Sequence, residues 1–196
     1  MELSRGPLVG RHVRLDPITI EDRDTMRELL DRDMEHWTIA GACGAGEGFD
    51  AWWTGALDGA AERGWVTYLI RDNVDQGAVG TSSYLNPRAH DRVVEIGSTF
   101  LHPDARGAAV NPESKRLMLA HAFDAGAMRV EFMVDARNHR SQGAVEKLGA
   151  FREGVLRRNR LTWTGHQRDT VVFSIVAEDW PAVRERLDFR LQEAFV

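Results

Sequence analysis

The run Arg106-Gly107-Ala108-Ala109-Val110-Asn111 has the residue types of an anion site. Small side chains let a phosphate come close to the backbone, and Arg106 adds a fixed positive charge. An apolar β-type stretch, Ile96 to Leu101, leads into the run. Asn111 and Pro112 predict a helix start, because Asn is a favoured N-cap and Pro at the first helical position loses a donor that has no partner there. The first-turn N–H groups of a helix lack intrahelical partners and its dipole is positive at that end, so strand, small-residue loop and helix start together present bare donors to a phosphate. A plain strand-to-helix turn, with alanines chosen for packing, fits the same residues.

A second run, Asp135 to Gly149, follows a strand-like stretch from Met128 to Val134. Asn138 reads as an N-cap, Ala144, Val145 and Leu148 as an apolar helical face, and Gly149 as a C-terminal stop. Around these two runs the remaining elements can be placed. Leu8 to Leu15 alternates as a half-buried strand does, and Thr19 to Leu30 reads as a helix with Glu21, Asp22 and Asp24 in its first turn. Asp33 to Gly48 is irregular and glycine-rich towards its end. Phe49 to Arg63 is helical in pattern and ends at Gly64, and Trp65 to Arg71, Ala78 to Leu85 and Val93 to Leu101 read as strands. Ala150 to Thr162 and Gln167 to Val176 read as a hairpin around Trp163-Thr164-Gly165-His166, and Glu178 to Leu191 as a helix with Pro181 in its first turn. Early and late hairpins with strand–helix–strand between them argue for an α/β chain with a mixed sheet.

At 196 residues, 43% hydrophobic and 28% charged, the chain suits one domain, 1–196, with length to bury a core. A net charge of −5 without a basic block does not recommend a nucleic-acid partner. The nearest thing to a basic block, Arg152, Arg157, Arg158 and Arg160, reads as a solvated strand face or as counter-charge near an anionic cofactor. The single cysteine, Cys43, forms no internal disulfide and fits a reducing compartment. No apolar run approaches membrane-spanning length, and the N-terminus lacks the apolar core of a signal peptide, so a cytoplasmic chain without a membrane partner is expected. A homodimer is one assembly open to it. His36 and His102 have no partner at a metal-ligand spacing, so no metal site is expected.

Arg106-Gly107-Ala108-Ala109-Val110-Asn111 with Lys115 after it, Asn138 and Ser141 ahead of Glu146-Lys147-Leu148-Gly149, and Glu153 to Arg157 with Gly165, Arg168-Asp169 and Phe173-Ser174-Ile175 occur in one order. Together they resemble the GNAT superfamily of acyl-CoA-dependent N-acyltransferases, in the branch that includes the RimJ and RimL ribosomal-protein N-acetyltransferases. The resemblance covers roughly Leu8 to Pro181. It implies the GNAT fold: a mixed, mostly antiparallel sheet flanked by helices, with two central parallel strands that splay apart and take the pantetheine arm of the cofactor between them.

The resemblance also implies acetyl-CoA as acyl donor and a primary amine as acceptor, a protein N-terminal α-amine or a small molecule, with direct transfer in a ternary complex. A non-catalytic acyl-CoA-binding domain is the alternative. It is suggested by Ala108 where the branch commonly has Thr, Ala109 where it has Gly, and Val145 where many members have a Tyr that protonates the departing thiolate. A left-handed backbone at Ala109 would cost about 1 kcal/mol. Arg106, Gly107, Ala108, Ala109, Val110 and Asn111 should hold the pyrophosphate, and Phe100 and Leu101 should pair their backbone with the pantetheine amides, their side chains going to the core. Asn138 should bond the pantetheine, cap its helix, or do both, and Ser141 should lie near the sulfur. Lys147 meets a CoA phosphate or is an ordinary solvated lysine. Glu95, at the head of the cofactor-facing strand, is the candidate base or else a solvent-facing carboxylate; the catalytic role would need burial to raise its pKa. In the segment that caps the acceptor side, Trp37 and Trp53 are the candidates to shape a pocket, and core packing is their other reading.

Overall fold

Strand β1 (Leu8–Val9) turns back into β2 (Val13–Pro17), so the single strand expected from Leu8 to Leu15 is a hairpin. The turn is set from a distance. The buried Glu113 carboxylate accepts the N–H groups of Arg11, His12 and Val13 at 2.9, 2.7 and 2.9 Å, and a side chain on Gly10 would run into it, its Cβ only 2.5 Å from Glu113 Cδ. Residues 1–193 are described in this computed structural model. The helix expected from Thr19 to Leu30 begins as a 3-10 turn, Ile20–Asp22, and becomes α1 only at Arg23–Leu30. The irregular segment after it contains the short helix α2 (Met34–Trp37), capped by the Asp33 carboxylate, and then α3 (Phe49–Glu62) follows.

Strands β3 (Val66–Asp72), β4 (Ala78–Arg88) and β5 (Val93–Leu101) form an antiparallel meander. Helix α4 (Val110–Asp124) crosses to β6 (Arg129–Asp135), α5 (His139–Leu148) follows, and the hairpin β7 (Phe151–Leu161) and β8 (Gln167–Val176) leads to α6 (Trp180–Glu193). The eight strands lie in the order β1-β2-β3-β4-β5-β6-β8-β7, and β5–β6 is the parallel pair, all others being antiparallel. This is the GNAT fold.

The parallel pairing is short. Val93, Val94 and Glu95 partner Arg129, Val130 and Glu131, and there it stops. Beyond Glu95, β5 stays paired to β4 through Leu101, while β6 stays paired to β8 through Asp135, so a wedge opens between β5 and β6. A bulge drives the separation. Between the pairs Ser83–Gly97 and Thr81–Phe100, β5 carries one residue more than β4, and Ser98 takes a left-handed φ of 48°. An extra residue of this kind bends its strand and raises the local twist. Two apolar clusters flank the sheet: a larger one against α4 and α6, and a smaller one holding Met26, Leu30, Trp37, Phe49, Trp53 and Phe100.

Candidate active site

The wedge opens into a cavity of about 610 Å³ lined by both splayed strands, by α4 and α5, and by the segment after α2. At its head stands Glu95, only 7% exposed. Burial pushes its carboxyl pKa up, against a 2.8 Å hydrogen bond from Asn86 Nδ2 and the charges of Arg160 and Arg168, while Glu131 adds a further upward push. Asn86 reaches it because β4 bulges there too, with Asn86 itself at φ 48°. Glu95 therefore faces a cavity from a buried position, and the solvent-facing reading does not hold.

Arg106, Gly107 and Asn111 line the cavity from the α4 side. Asn111 is not the cap. The helix starts at Val110, with Ala109 in the cap position and no side-chain cap, and Pro112 lies in the first turn, where a missing N–H costs no intrahelical bond. The first ladder bond is Glu113 N–H to Ala109 O at 2.9 Å, and among the described residues the N–H groups of 107–111 before it make no backbone hydrogen bond. Ala109 sits at φ −65°, ordinary helical backbone, and the strain that Ala would meet in a left-handed conformation does not arise. Gly107, at φ +80°, is the residue that needs glycine, and no atom stands within 4 Å of where its side chain would be. Ala109 and Val110 are buried, Ala108 is exposed, and none of the three lines the cavity wall. Arg106 is not a free cation. It pairs with Asp33 through Nη2 and donates Nε–H to Leu101 O at 3.1 Å, tying the loop to the start of α2.

From α5, Asn138, Ser141 and Val145 face the cavity. Asn138 caps the helix, its Oδ1 accepting Ser141 N–H at 3.0 Å, which leaves its amide N–H₂ available. Gly149 closes the helix at φ 97°, as the sequence predicted. Lys147 is exposed and is not part of the cavity lining. Leu101 lines the cavity, whereas Phe100 is fully buried in the smaller cluster, stacked on Trp37 at 5.6 Å.

The tryptophans divide unexpectedly. Trp37 lines the cavity, its indole N–H held by Leu30 O at 3.0 Å. Trp53 does not: it packs on Phe49 inside the smaller cluster. Its neighbour Trp52, about 100° around the helix, lines the cavity instead, together with Trp65. His36, beside Trp37 and Phe100, is held near pKa 4 by burial and the Arg140 charge, and so stays neutral at pH 7.

Sequence reasoning did not assign Lys115 a role. It is 5% exposed, lines the cavity from α4, and donates to Ser82 Oγ and Thr99 Oγ1, both at 2.7 Å, with no carboxylate partner among the described residues. Burial alone lowers its pKa to about 7. An ammonium noted in sequence three or four residues past an anion loop gives no sign that it points into the sheet.

The comparisons agree with this geometry. Residues 12–150 match the family described as Acetyltransferase (GNAT) domain. No curated protein matches the chain. A crystal structure from T. thermophilus, whose naming as an acetyltransferase is itself an inference, is 37% identical, covering 97% of this chain and 100% of that one at a TM-score of 0.86. A GCN5-related N-acetyltransferase from Brucella melitensis is 24% identical over 99% and 89% of the two chains, at 0.87. Mycobacterium smegmatis RimJ, in complex with CoA-disulfide, is 23% identical over 94% and 92%, at 0.77, a likeness of fold. With the family match over residues 12–150 and a relative 37% identical over nearly the whole of both chains, the chain belongs to the GNAT acetyltransferase family and is an N-acetyltransferase that draws its acetyl group from acetyl-CoA.

Proposed function

We propose that this enzyme, one domain over 1–196, moves the acetyl group directly to a primary amine in a ternary complex. The acceptor is a small-molecule amine or a protein N-terminal α-amine. The observation that carries this reading is the buried Glu95 at the head of the wedge, with the bare α4 N-terminus beside the same cavity. The edge of β5 that loses β6 beyond Glu95, running to Phe100 and Leu101, is where the pantetheine arm would lie as an added strand, with Leu101 O already taken by Arg106 Nε–H. Loop N–H groups from Gly107 to Asn111 take the pyrophosphate. Because Arg106 is already paired with Asp33, those donors rather than the guanidinium do most of that work.

An amine is mostly protonated near pH 7 and must lose a proton before its lone pair can attack the thioester carbonyl. Glu95, its pKa raised by burial, takes that proton. The C–N bond forms as the C–S bond breaks, and the proton that the attacking nitrogen then sheds passes through the Ser141 hydroxyl to the departing thiolate, since Val145 occupies the place of a tyrosine acid. Orientation of both substrates in one cavity supplies much of the acceleration. Trp37, with Trp52 and Trp65, walls the acceptor side. A cytoplasmic setting fits the composition, and a homodimer is compatible with the exposed outer strand β7.

Thiol release from acetyl-CoA across a panel of amines and N-terminal peptides tests this. Turnover on one class is expected. Tight CoA binding with no turnover on any amine would overturn it.

A further inference from the structure

Arg160 and Arg168 stand directly opposite each other in the β7–β8 ladder, and both line the cavity that holds Glu95. Arg168 is 5% exposed. Its Nη2 donates to Met133 O at 2.8 Å, and its Nε–H is buried with no hydrogen-bond partner. Among the described residues neither arginine makes an ion pair, although the carboxylates around them do: Asp33 is paired with Arg106, Asp135 with Arg137 at 2.8 Å, and Glu131 with Arg129 at 2.9 Å. Glu95 senses both charges but gives its hydrogen bond to Asn86. His36 is neutral. Both guanidiniums also converge on one spot: a Cβ on Gly41, which has none, would lie 3.6 Å from Arg160 Nη1 and 3.7 Å from Arg168 Nη1.

A half-satisfied buried guanidinium next to a second one is expensive. Burial and then the Arg160 charge both disfavour the Arg168 cation. A planar fork with free donors matches a carboxylate, which can accept two N–H bonds at once. We propose that Arg160 and Arg168 bind a carboxylate of the acceptor over Gly41, so that the acceptor is an amino acid or a peptide-like amine bearing a carboxylate near its amino group. This rests on the acetyl-transfer reading of the same cavity. Binding the anion also screens Glu95 from two cations that hold its pKa down, which makes it a stronger base once the acceptor is seated.

Binding to the CoA-loaded protein tests the proposal whether or not turnover is found. The probes are N-acetyl amino acids with small, acidic and aromatic side chains, their C-terminal amides, and N-acetyl peptide amides with Asp or Ala at the second position, titrated by calorimetry. At least one acid should bind tenfold or more tighter than its amide. A contrast confined to free amino acids places the carboxylate at the α-position, and one confined to the Asp peptides places it on a side chain. Arg160→Gln, at an exposed position, and Arg168→Lys, which keeps the charge but loses the fork, should each collapse that contrast while CoA affinity stays within about twofold. No contrast in either the acid–amide pairs or the Asp–Ala peptide pairs overturns the proposal, as does a contrast that survives both substitutions. The acetyl-transfer reading fails separately, by absence of thiol release.

Discussion

The small-residue loop before α4 and the wall around Glu95 face one cavity but are assembled by opposite means. The loop is six consecutive residues, 106–111, whose main-chain donors point where a helix start sends them. The wall draws Trp37 from α2, Trp52 from α3, Trp65 from just before β3, and Arg160 and Arg168 from the last two strands. A main-chain arrangement tolerates side-chain change: the backbone at Ala109 stays in ordinary helical conformation. A side-chain site has no such tolerance, because each group is held by its own partners: Asn86 on Glu95, Leu30 O on Trp37, Met133 O on Arg168.

The largest effect should come from the side-chain half. Glu95→Gln should lower turnover at neutral pH by about 10²–10⁴-fold, the usual range for a general base, with acetyl-CoA affinity nearly unchanged. The wild-type kcat/KM should fall as pH drops through the raised pKa of Glu95, and this acid limb should vanish in the variant. Stability should move the other way. A carboxyl whose folded pKa is raised favours the native state only while protonated, and that contribution is lost as pH rises through the folded value. Thermal melts at pH 7 should therefore find Glu95→Gln at least as stable as wild type. Near-normal turnover with an unshifted profile would make Glu95 structural and remove the main distinction between the two halves.

Next in size is a charge placed in the main-chain half. Ala108 is exposed, so Ala108→Glu should fold normally, whereas the buried Ala109 is a poorer site for the same change. A carboxylate there should weaken CoA binding about a hundredfold, roughly 3 kcal/mol, as expected for a unit charge near a phosphate at the protein surface. Isothermal titration checks it, and unchanged affinity would put the phosphates elsewhere.

A last test sharpens the boundary between the halves, and its readout is a slope with pH rather than a loss of function. Lys115 ties α4 to β4 and β5 at the wedge. Its folded pKa of about 7 lies below the ordinary 10.5, so the unfolded chain binds its proton more tightly and stability should rise with pH between those values, by up to about 1.4 kcal/mol per unit from this group. Lys115→Met should flatten that slope in denaturant titrations, and Ser82 and Thr99 remain bonded to each other at 2.9 Å. An identical slope in the variant would mean that Lys115 does not titrate there.

The sequence by itself placed the ends of several elements closely. β5 was expected at Val93 to Leu101 and β8 at Gln167 to Val176, and α5 was bracketed by Asn138 and Gly149, all as found. Such signals are local: a cap acts within three residues, a C-terminal glycine within four, and alternation within one strand. The small-residue loop and the helix start after it were legible for the same reason, the start falling one residue earlier than Asn111. Only the tertiary structure decided the rest. It split Leu8 to Leu15 into a hairpin through Glu113, a hundred residues away. It paired Arg106 with Asp33, sent Trp53 inward and Trp52 to the cavity, and turned Lys115 into the sheet. It also buried Glu95 and, among the described residues, left Arg168 without a carboxylate partner. Burial and ion pairing depend on groups far apart in the chain, and their energies are set by the local dielectric, which no window of neighbouring residues records.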